Sequence, residues 1–194
     1  MTPERSRLQV LQGLTQQQDL EGAFVALAER RRAAFSLWPA GLPLGALTHL
    51  DGPAATETAL RCVAEQQSLA APRGRAAWVE ARISAYPPGL VQRGLDLACL
   101  LFVEGEAQYP WAVTELLRSQ AFRVVVVASA LPDAKSLRRL QLAAEGAGVL
   151  ALLLAPLPEE AWAVRTRLRC EWLDGAPALR DATAAEAPPR AEAG

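Results

Sequence analysis

Hydrophobic positions in the middle of the chain alternate between short apolar runs and longer stretches of helical periodicity. The apolar runs, which are typical of buried parallel strands, cover residues 47–50, 76–79, 99–103, 124–127 and 149–154. Helical segments are predicted between them over about 56–70, 88–94, 111–120 and 133–145. Because strands that alternate with helices form βαβ crossovers, the pattern predicts an α/β fold with a mostly parallel sheet flanked by helices.

The last patterned segment, residues 163–172, alternates apolar and charged side chains. Leu168 and Cys170 fall on one face of such a strand, and Arg167 and Arg169 fall on the other. This pattern predicts a half-exposed, antiparallel edge strand whose outward charges discourage aggregation. After Trp172 the sequence consists mainly of Ala, Pro and charged residues, which predicts a disordered tail over 174–194.

The N-terminal region predicts an amphipathic helix over residues 19–32, with Asp19 as its N-cap and an arginine run at its end. We therefore expect a helical arm at 1–38, an α/β core at 39–173 and the tail at 174–194. The apolar stripe either packs on its own core or docks in a partner's groove. Candidate partner-binding residues in this arm are Leu20, Phe24, Leu27, Arg30 and Arg31.

Composition and charge argue against a membrane protein, a secreted protein and a strong DNA-binding protein. The chain has 194 residues, 51% of them hydrophobic, and a formal net charge of −1, which suits one soluble domain with a sizeable core. No apolar run is long enough to cross a membrane and no signal-peptide pattern is present, so we expect a cytosolic protein. The near-neutral balance, and the alternation around Arg165, Arg167 and Arg169, predict that direct DNA binding is weak or absent.

Cysteine and histidine usage suggests no metal site. Cys62, Cys99 and Cys170 are odd in number and widely spaced, so we expect them to be buried as small hydrophobic residues. His49, the single histidine, lies in an apolar strand pattern and is interpreted as structural rather than as a catalytic base.

The segment after the first predicted core strand, Asp51-Gly-Pro-Ala-Ala-Thr-Glu-Thr, stands where an α/β sheet carries a phosphate-binding loop. A working P-loop reads G-x-x-x-x-G-K-[ST]. Counted from Gly52, the second glycine falls on Glu57, the lysine on Thr58 and the hydroxyl on Ala59; with one deletion, Thr56, Glu57 and Thr58 take these places. The loop is therefore interpreted as a degenerate P-loop.

Neither alignment offers a lysine, because the only lysine of the chain is Lys135, in a later predicted helix. The Glu57 carboxylate would also face the phosphates, and two like charges about 4 Å apart repel by roughly 1 kcal/mol in water and roughly 4 at a surface-like dielectric. We expect nucleotide binding to be weak or absent and no cofactor to be required. Two alternatives stay open: an ordinary turn with Thr56 as N-cap, and a divergent ATPase that uses Gly52, Thr56, Thr58 and the helix N-terminus.

Several segments resemble bacterial RecA recombinases. The run Gly41-Leu-Pro-Leu-Gly-Ala-Leu-Thr-His-Leu-Asp-Gly-Pro is similar to the strand that leads into the RecA P-loop. Residues 76–81, 88–101 and 124–130 resemble the second core strand, the helix and third strand after it, and the strand that ends in the Walker B aspartate. The resemblance covers about residues 41–172 and implies a RecA-like fold.

The departures from that family all concern the ATPase machinery. The Walker B position holds Ala128, and the catalytic glutamate expected two residues after Glu80 is replaced by Arg82. The two DNA-contacting loops of RecA correspond to the short segments 130–133 and 155–159. The resemblance therefore implies a protein that works by binding other proteins, with no catalytic residues.

Two families of the SOS response look like shortened RecA domains with an eroded nucleotide site: ImuA-type accessory proteins of mutagenic translesion DNA synthesis and SulA-type inhibitors of cell division. The N-terminal arm, the Gly-Leu-Pro-x-Gly turn, the final strand and the charged tail look more like ImuA. That resemblance implies binding to an ImuB-type Y-family polymerase homologue and to RecA, in support of an error-prone replicative-type polymerase. It also implies self-association through the arm, whereas a SulA-type protein would bind FtsZ.

Overall fold

The computed structural model describes residues 32–69, 74–105, 109–131, 133–158 and 161–183. Its strands are β1 (Arg32–Ala33), β2 (Leu42–Pro43), β3 (Ala46–Asp51), β4 (Ala76–Glu80), β5 (Leu100–Glu104), β6 (Val124–Val127), β7 (Leu150–Leu153), β8 (Thr166–Leu173) and β9 (Ala176–Asp181). Its helices are α1 (Ala55–Leu69), α2 (Pro87–Gln92), α3 (Tyr109–Arg118) and α4 (Ala134–Ala147), with a 3-10 turn at Leu97–Cys99. None of the described helices is long and apolar enough to cross a membrane.

Seven strands form one sheet in the order β5-β4-β6-β7-β3-β8-β9. Each neighbouring pair is parallel except β8 and β9, which are antiparallel. The short strands β1 and β2 form a separate antiparallel pair. The five core strands lie within one residue of their predicted bounds and the four helices within two. The predicted fold class, a mostly parallel sheet flanked by helices, is confirmed.

Helices cover both faces of the sheet, because the side chains of the central strands alternate between two hydrophobic clusters. Leu50 and Val126 belong to the first cluster, with Val63 of α1. Val125 belongs to the second, with Leu117 of α3. All four residues of β6 are buried, which explains the unbroken run of valine there.

The predicted antiparallel edge strand at 163–172 is wrong in its direction and its place. β8 pairs in parallel with β3 and is covered on its other side by β9. The connection from β7 buries Ala161 and Val164 in the second cluster, so the chain crosses that face before it enters β8. Alternating charges indicate that one face of a strand is exposed. They do not indicate whether the neighbouring strand is parallel or antiparallel.

The predicted disordered tail is wrong for residues 174–183. Asp174 and Gly175 adopt positive φ angles of 50° and 78° and connect β8 to β9 in a two-residue hairpin turn. Leu179 of β9 pairs with Cys170 and packs against the first cluster. The Asp-Gly turn and the packing of Leu179 therefore order this segment, although its Ala/Pro composition is typical of disorder. Residues 184–194 lie outside the described residues.

The N-terminal boundary of the core also differs from the predicted one. Arg32 belongs to β1 rather than to the end of a helix, and Ala33 and Phe35 are buried in the first cluster. The backbone N–H of Ser36 donates to the Glu65 carboxylate of α1 at 2.9 Å. Residues 33–38, assigned to the arm, are thus part of the core. The candidate arm residues Leu20, Phe24, Leu27, Arg30 and Arg31 lie outside the described residues.

Candidate functional site

The loop between β3 and α1 is held against β8 through Gly52. This residue has a φ of 108°, and a Cβ atom placed on it would lie 2.4 Å from the carbonyl oxygen of Cys170. The backbone N–H of Ala54 donates to that same oxygen at 3.2 Å. A glycine is therefore required at position 52 by the close approach of two backbones, whether or not a phosphate ever binds.

Backbone N–H groups of this loop donate to its own chain. The N–H of Ala55 donates to the Gly52 carbonyl at 3.1 Å, and the N–H of Thr58 donates to the Ala54 carbonyl at 2.9 Å. In a P-loop such groups surround the phosphates. The alternative with Thr56 as N-cap is wrong in its position, because α1 begins at Ala55 and Thr56 lies in its first turn.

The three candidate side chains of the loop have different surroundings. Thr56 is exposed to solvent. Glu57 accepts a hydrogen bond from Nε of Arg93 at 2.6 Å, so an arginine from the end of α2 compensates the carboxylate. Thr58 is fully buried, beside the thiol of Cys170. The hydroxyl of Thr58 consequently lies in the core.

A second ion pair lies on the other side of the loop. Asp51, at the end of β3, pairs with Arg169 of β8 directly opposite it in the parallel ladder. Both carboxylates that flank the loop between β3 and α1 therefore have an arginine partner. Sequence reasoning found Glu57 but missed Arg93, because the two residues are far apart in the chain and no local spacing connects them.

Ala128, the residue compared with the Walker B aspartate, lies at the carboxyl end of β6. Ala128 follows the strand directly, is half-buried against the first cluster, and its N–H donates to the Val79 carbonyl at 2.9 Å. Beside it, the hydroxyl oxygen of Ser129 accepts a hydrogen bond from the backbone N–H of Ala81 at 2.5 Å. These contacts tie the end of β6 to the end of β4.

The carboxylate of Glu80, at the carboxyl end of β4, accepts hydrogen bonds from its own strand and from the loop that follows. The donors are Nε1 of Trp78 at 2.7 Å and the backbone N–H of Ser84 at 2.8 Å. Arg82, at the position compared with the catalytic glutamate, lies between Glu80 and Ser84 in the sequence and is exposed to solvent. The carboxylate of Glu80 thus orders the turn after β4.

His49 and two of the cysteines have the structural surroundings that the sequence suggested. The Nε2 atom of His49 lies 3.1 Å from the Ala155 carbonyl oxygen, and burial lowers the pKa of this imidazole. Burial raises the pKa of the Cys62 thiol to about 12 and that of Cys170 to about 11. Cys99 is half-buried, unlike the prediction. Within the described residues, no group of three His, Cys, Asp or Glu side chains is placed to hold a metal ion.

Three surface cavities of the described residues lie away from the loop between β3 and α1. A cavity of about 710 Å³ separates α1 from the segment after β1, and Phe35, Arg61, Glu65, Leu69 and Arg93 contribute to its lining. Two others, of about 310 and 330 Å³, border α3 and α4. None of these three cavities is lined by a residue of the candidate phosphate loop.

Comparison with known proteins identifies no family for this chain. No family model matches the chain, and no curated protein matches it. Among solved structures, the chain is similar to SulA from Pseudomonas aeruginosa, with 16% sequence identity over 58% of this chain and 98% of that one and a TM-score of 0.47. A similarity of this size supports neither a family assignment nor a function.

Proposed function

We propose that this chain is a non-catalytic, RecA-like accessory protein of mutagenic translesion DNA synthesis. In this role it binds an ImuB-type Y-family polymerase homologue and RecA, and so supports an error-prone replicative-type polymerase at lesions. No bond is made or broken by the chain itself. Its contribution is to hold other proteins together.

One observation carries the non-catalytic part of the proposal: the loop after β3 is used to fasten β8. Gly52 and Ala54 contact the Cys170 carbonyl, Thr58 faces the core, and Glu57 is paired with Arg93. ATP hydrolysis in a P-loop protein depends on a lysine and on carboxylates that hold Mg²⁺ and orient water. The corresponding positions hold Thr58 or Glu57 in the loop and Ala128 after β6.

The choice of the ImuA-type role depends on sequence features. These are the Gly41-Leu-Pro-Leu-Gly45 turn before the first core strand, the terminal strand with its Arg-rich face and the charged Ala/Pro tail. In the described part of the chain, the turn leads through β2 into β3, and the terminal strand is β8. The SulA-type role remains the second candidate because no single motif separates the two families.

Co-purification of the tagged full chain with three proteins of the same cell tests the proposal. These proteins are the ImuB-type homologue, RecA and FtsZ. Retention of the ImuB-type homologue supports the proposal, and retention of RecA as well supports its second part. Retention of FtsZ alone would make the chain a division inhibitor, and binding to none of the three would overturn both roles.

A further inference from the structure

One surface of the domain combines exposed tryptophan with exposed cations. Trp111, in the first turn of α3, is 67% exposed, and Trp162, in the connection between β7 and β8, is 64% exposed. The first two turns of α4 carry Lys135, Arg138 and Arg139. We call these five residues the tryptophan–arginine face. Two exposed indole rings close to exposed cations form a grouped apolar and charged patch, and such patches are typical of interaction surfaces.

The two tryptophans lie on either side of α4. The guanidinium of Arg138 lies over the Trp162 ring, 5.2 Å from its centroid, which is within cation–π distance. Trp111 and Arg139 line the same cavity of about 330 Å³, together with Thr114 and Ser136. The Trp111 ring, two hydroxyl groups, the cations Arg118 and Arg139 and the carboxylate of Glu115 thus surround a cavity large enough for one side chain.

The cations of this face form no salt bridge within the described part of the chain. Lys135, Arg138 and Arg139 form no ion pair there. Two acids lie nearby: Asp133 accepts a hydrogen bond from the Ser136 N–H at 2.6 Å and interacts electrostatically with Lys135 and Arg139, and Glu115 pairs with Arg118 at 3.5 Å in the wall of the same cavity. Among the described residues, the cations at this face, with Arg118, number four and the carboxylates Asp133 and Glu115 number two, in a protein whose net charge is −1.

We propose that the tryptophan–arginine face binds an acidic segment of a partner protein. Carboxylates of that segment pair with Lys135, Arg138 and Arg139, and an apolar side chain of the segment enters the cavity beside Trp111. Tryptophan and arginine are the residues that most often dominate the affinity of protein interfaces. Opposite charge on the partner provides the specificity and speeds association.

Single-stranded nucleic acid fits this face less well than an acidic peptide does. Binding of single strands uses a cationic groove with free aromatic faces on which bases stack. Here the Arg138 guanidinium covers one face of the Trp162 ring, and the cations are confined to two turns of one helix. The inference goes beyond the proposed function, because it concerns the surface and the chemistry of the bound segment, whichever protein carries it.

Fluorescence anisotropy with two labelled probes tests the inference on the full chain. The first probe is a synthetic peptide rich in glutamate with a single central phenylalanine, and the second is an oligothymidylate. We expect the peptide to bind in low salt. The Trp111→Ala variant and the Arg138→Glu/Arg139→Glu variant should each weaken binding by about tenfold or more. Replacement of the phenylalanine of the peptide by serine should weaken binding to the native chain but not to Trp111→Ala.

The matched control is Trp172→Ala, because Trp172 is also half-exposed but lies on β8, outside this face. It should bind the peptide like the native chain, and the melting temperature of every variant shows whether the fold is retained. Binding of the oligothymidylate alone, binding of neither probe, or equal peptide binding by folded variants would each overturn the inference. Failure of the inference leaves the co-purification with the ImuB-type homologue unaffected, so the two proposals are tested separately.

Discussion

The loop after β3 and the tryptophan–arginine face make opposite use of their polar groups. In the loop, the Ala54 N–H and the Glu57 carboxylate have partners within the chain. On the α3–α4 side, Lys135, Arg138 and Arg139 form no ion pair with the described residues, and two tryptophans are exposed beside them. A loop that resembles a ligand-binding site in sequence can therefore be structural, while exposed cations and aromatic rings lie on a surface that no motif identifies.

The largest expected effect on the unfolding free energy comes from the close contact between the backbones of Gly52 and Cys170, and it tests whether the loop after β3 is structural. A Gly52→Ala substitution places Cβ against the Cys170 carbonyl and keeps an unfavourable φ, so we expect a loss of about 3 kcal/mol of unfolding free energy. Urea denaturation followed by circular dichroism measures it. The control is Gly94→Ala, where φ is 82° but no atom lies within 4 Å of the added carbon, with an expected cost of about 1 kcal/mol. Equal losses in the two variants would show that the loop is not fastened to β8.

The second effect is a pH dependence that originates at His49. Burial lowers the pKa of this imidazole below its ordinary value of 6.5, although Asp51 and the Ala155 carbonyl act against the shift. As the pH falls below 6.5, the unfolded chain takes up a proton that the folded chain resists, so stability is complete above that pH and declines below it. Unfolding free energies measured between about pH 7 and pH 5 detect the decline.

The control for this effect is His49→Gln, which should lose the decline over the same pH range. Asp133 and Asp181 have pKa values lowered from 3.8, so their contribution falls away only at more acidic pH. If the unfolding free energy of His49→Gln declined with falling pH as it does in the native chain, another group would be responsible for the decline. The pH dependence would then not support the interpretation of His49 as a buried structural residue.

A smaller effect is expected from the ion pair between Glu57 and Arg93. Their side chains are 26% and 44% exposed, so solvent screens the pair and its coupling free energy should be below about 1 kcal/mol. A double-mutant cycle with Glu57→Gln and Arg93→Gln, run at low and high salt, measures that coupling. A coupling of zero at low salt would indicate that the arginine does not compensate the carboxylate in solution.

The smallest expected effect is that of nucleotide. A ligand that binds only the folded state raises the melting temperature. We expect millimolar ATP with Mg²⁺ to leave the melting temperature of the full chain unchanged, and we expect the same result for the Glu57→Gln variant. A rise in either protein would favour the divergent ATPase that uses Gly52, Thr56 and Thr58.

Hydrophobic patterning predicted the core of the fold better than its margins. Runs such as Val124–Val127 were clear because the central strands are buried on both faces. β9 was missed because the Ala/Pro composition outweighed the turn signal of Asp174 and Gly175, and the direction of β8 has no local signature. The candidate loop was located correctly, but the role of Gly52 depends on Cys170, which lies far away in the chain.

The most direct test of the central claim is the co-purification of the ImuB-type homologue with the full chain, carried out with and without Mg²⁺ and ATP. If the chain works through protein contacts alone, the same amount of partner is retained in both conditions and no phosphate is released. Retention that requires ATP, or release of phosphate in its presence, would contradict the account and return the loop after β3 to a nucleotide-binding role.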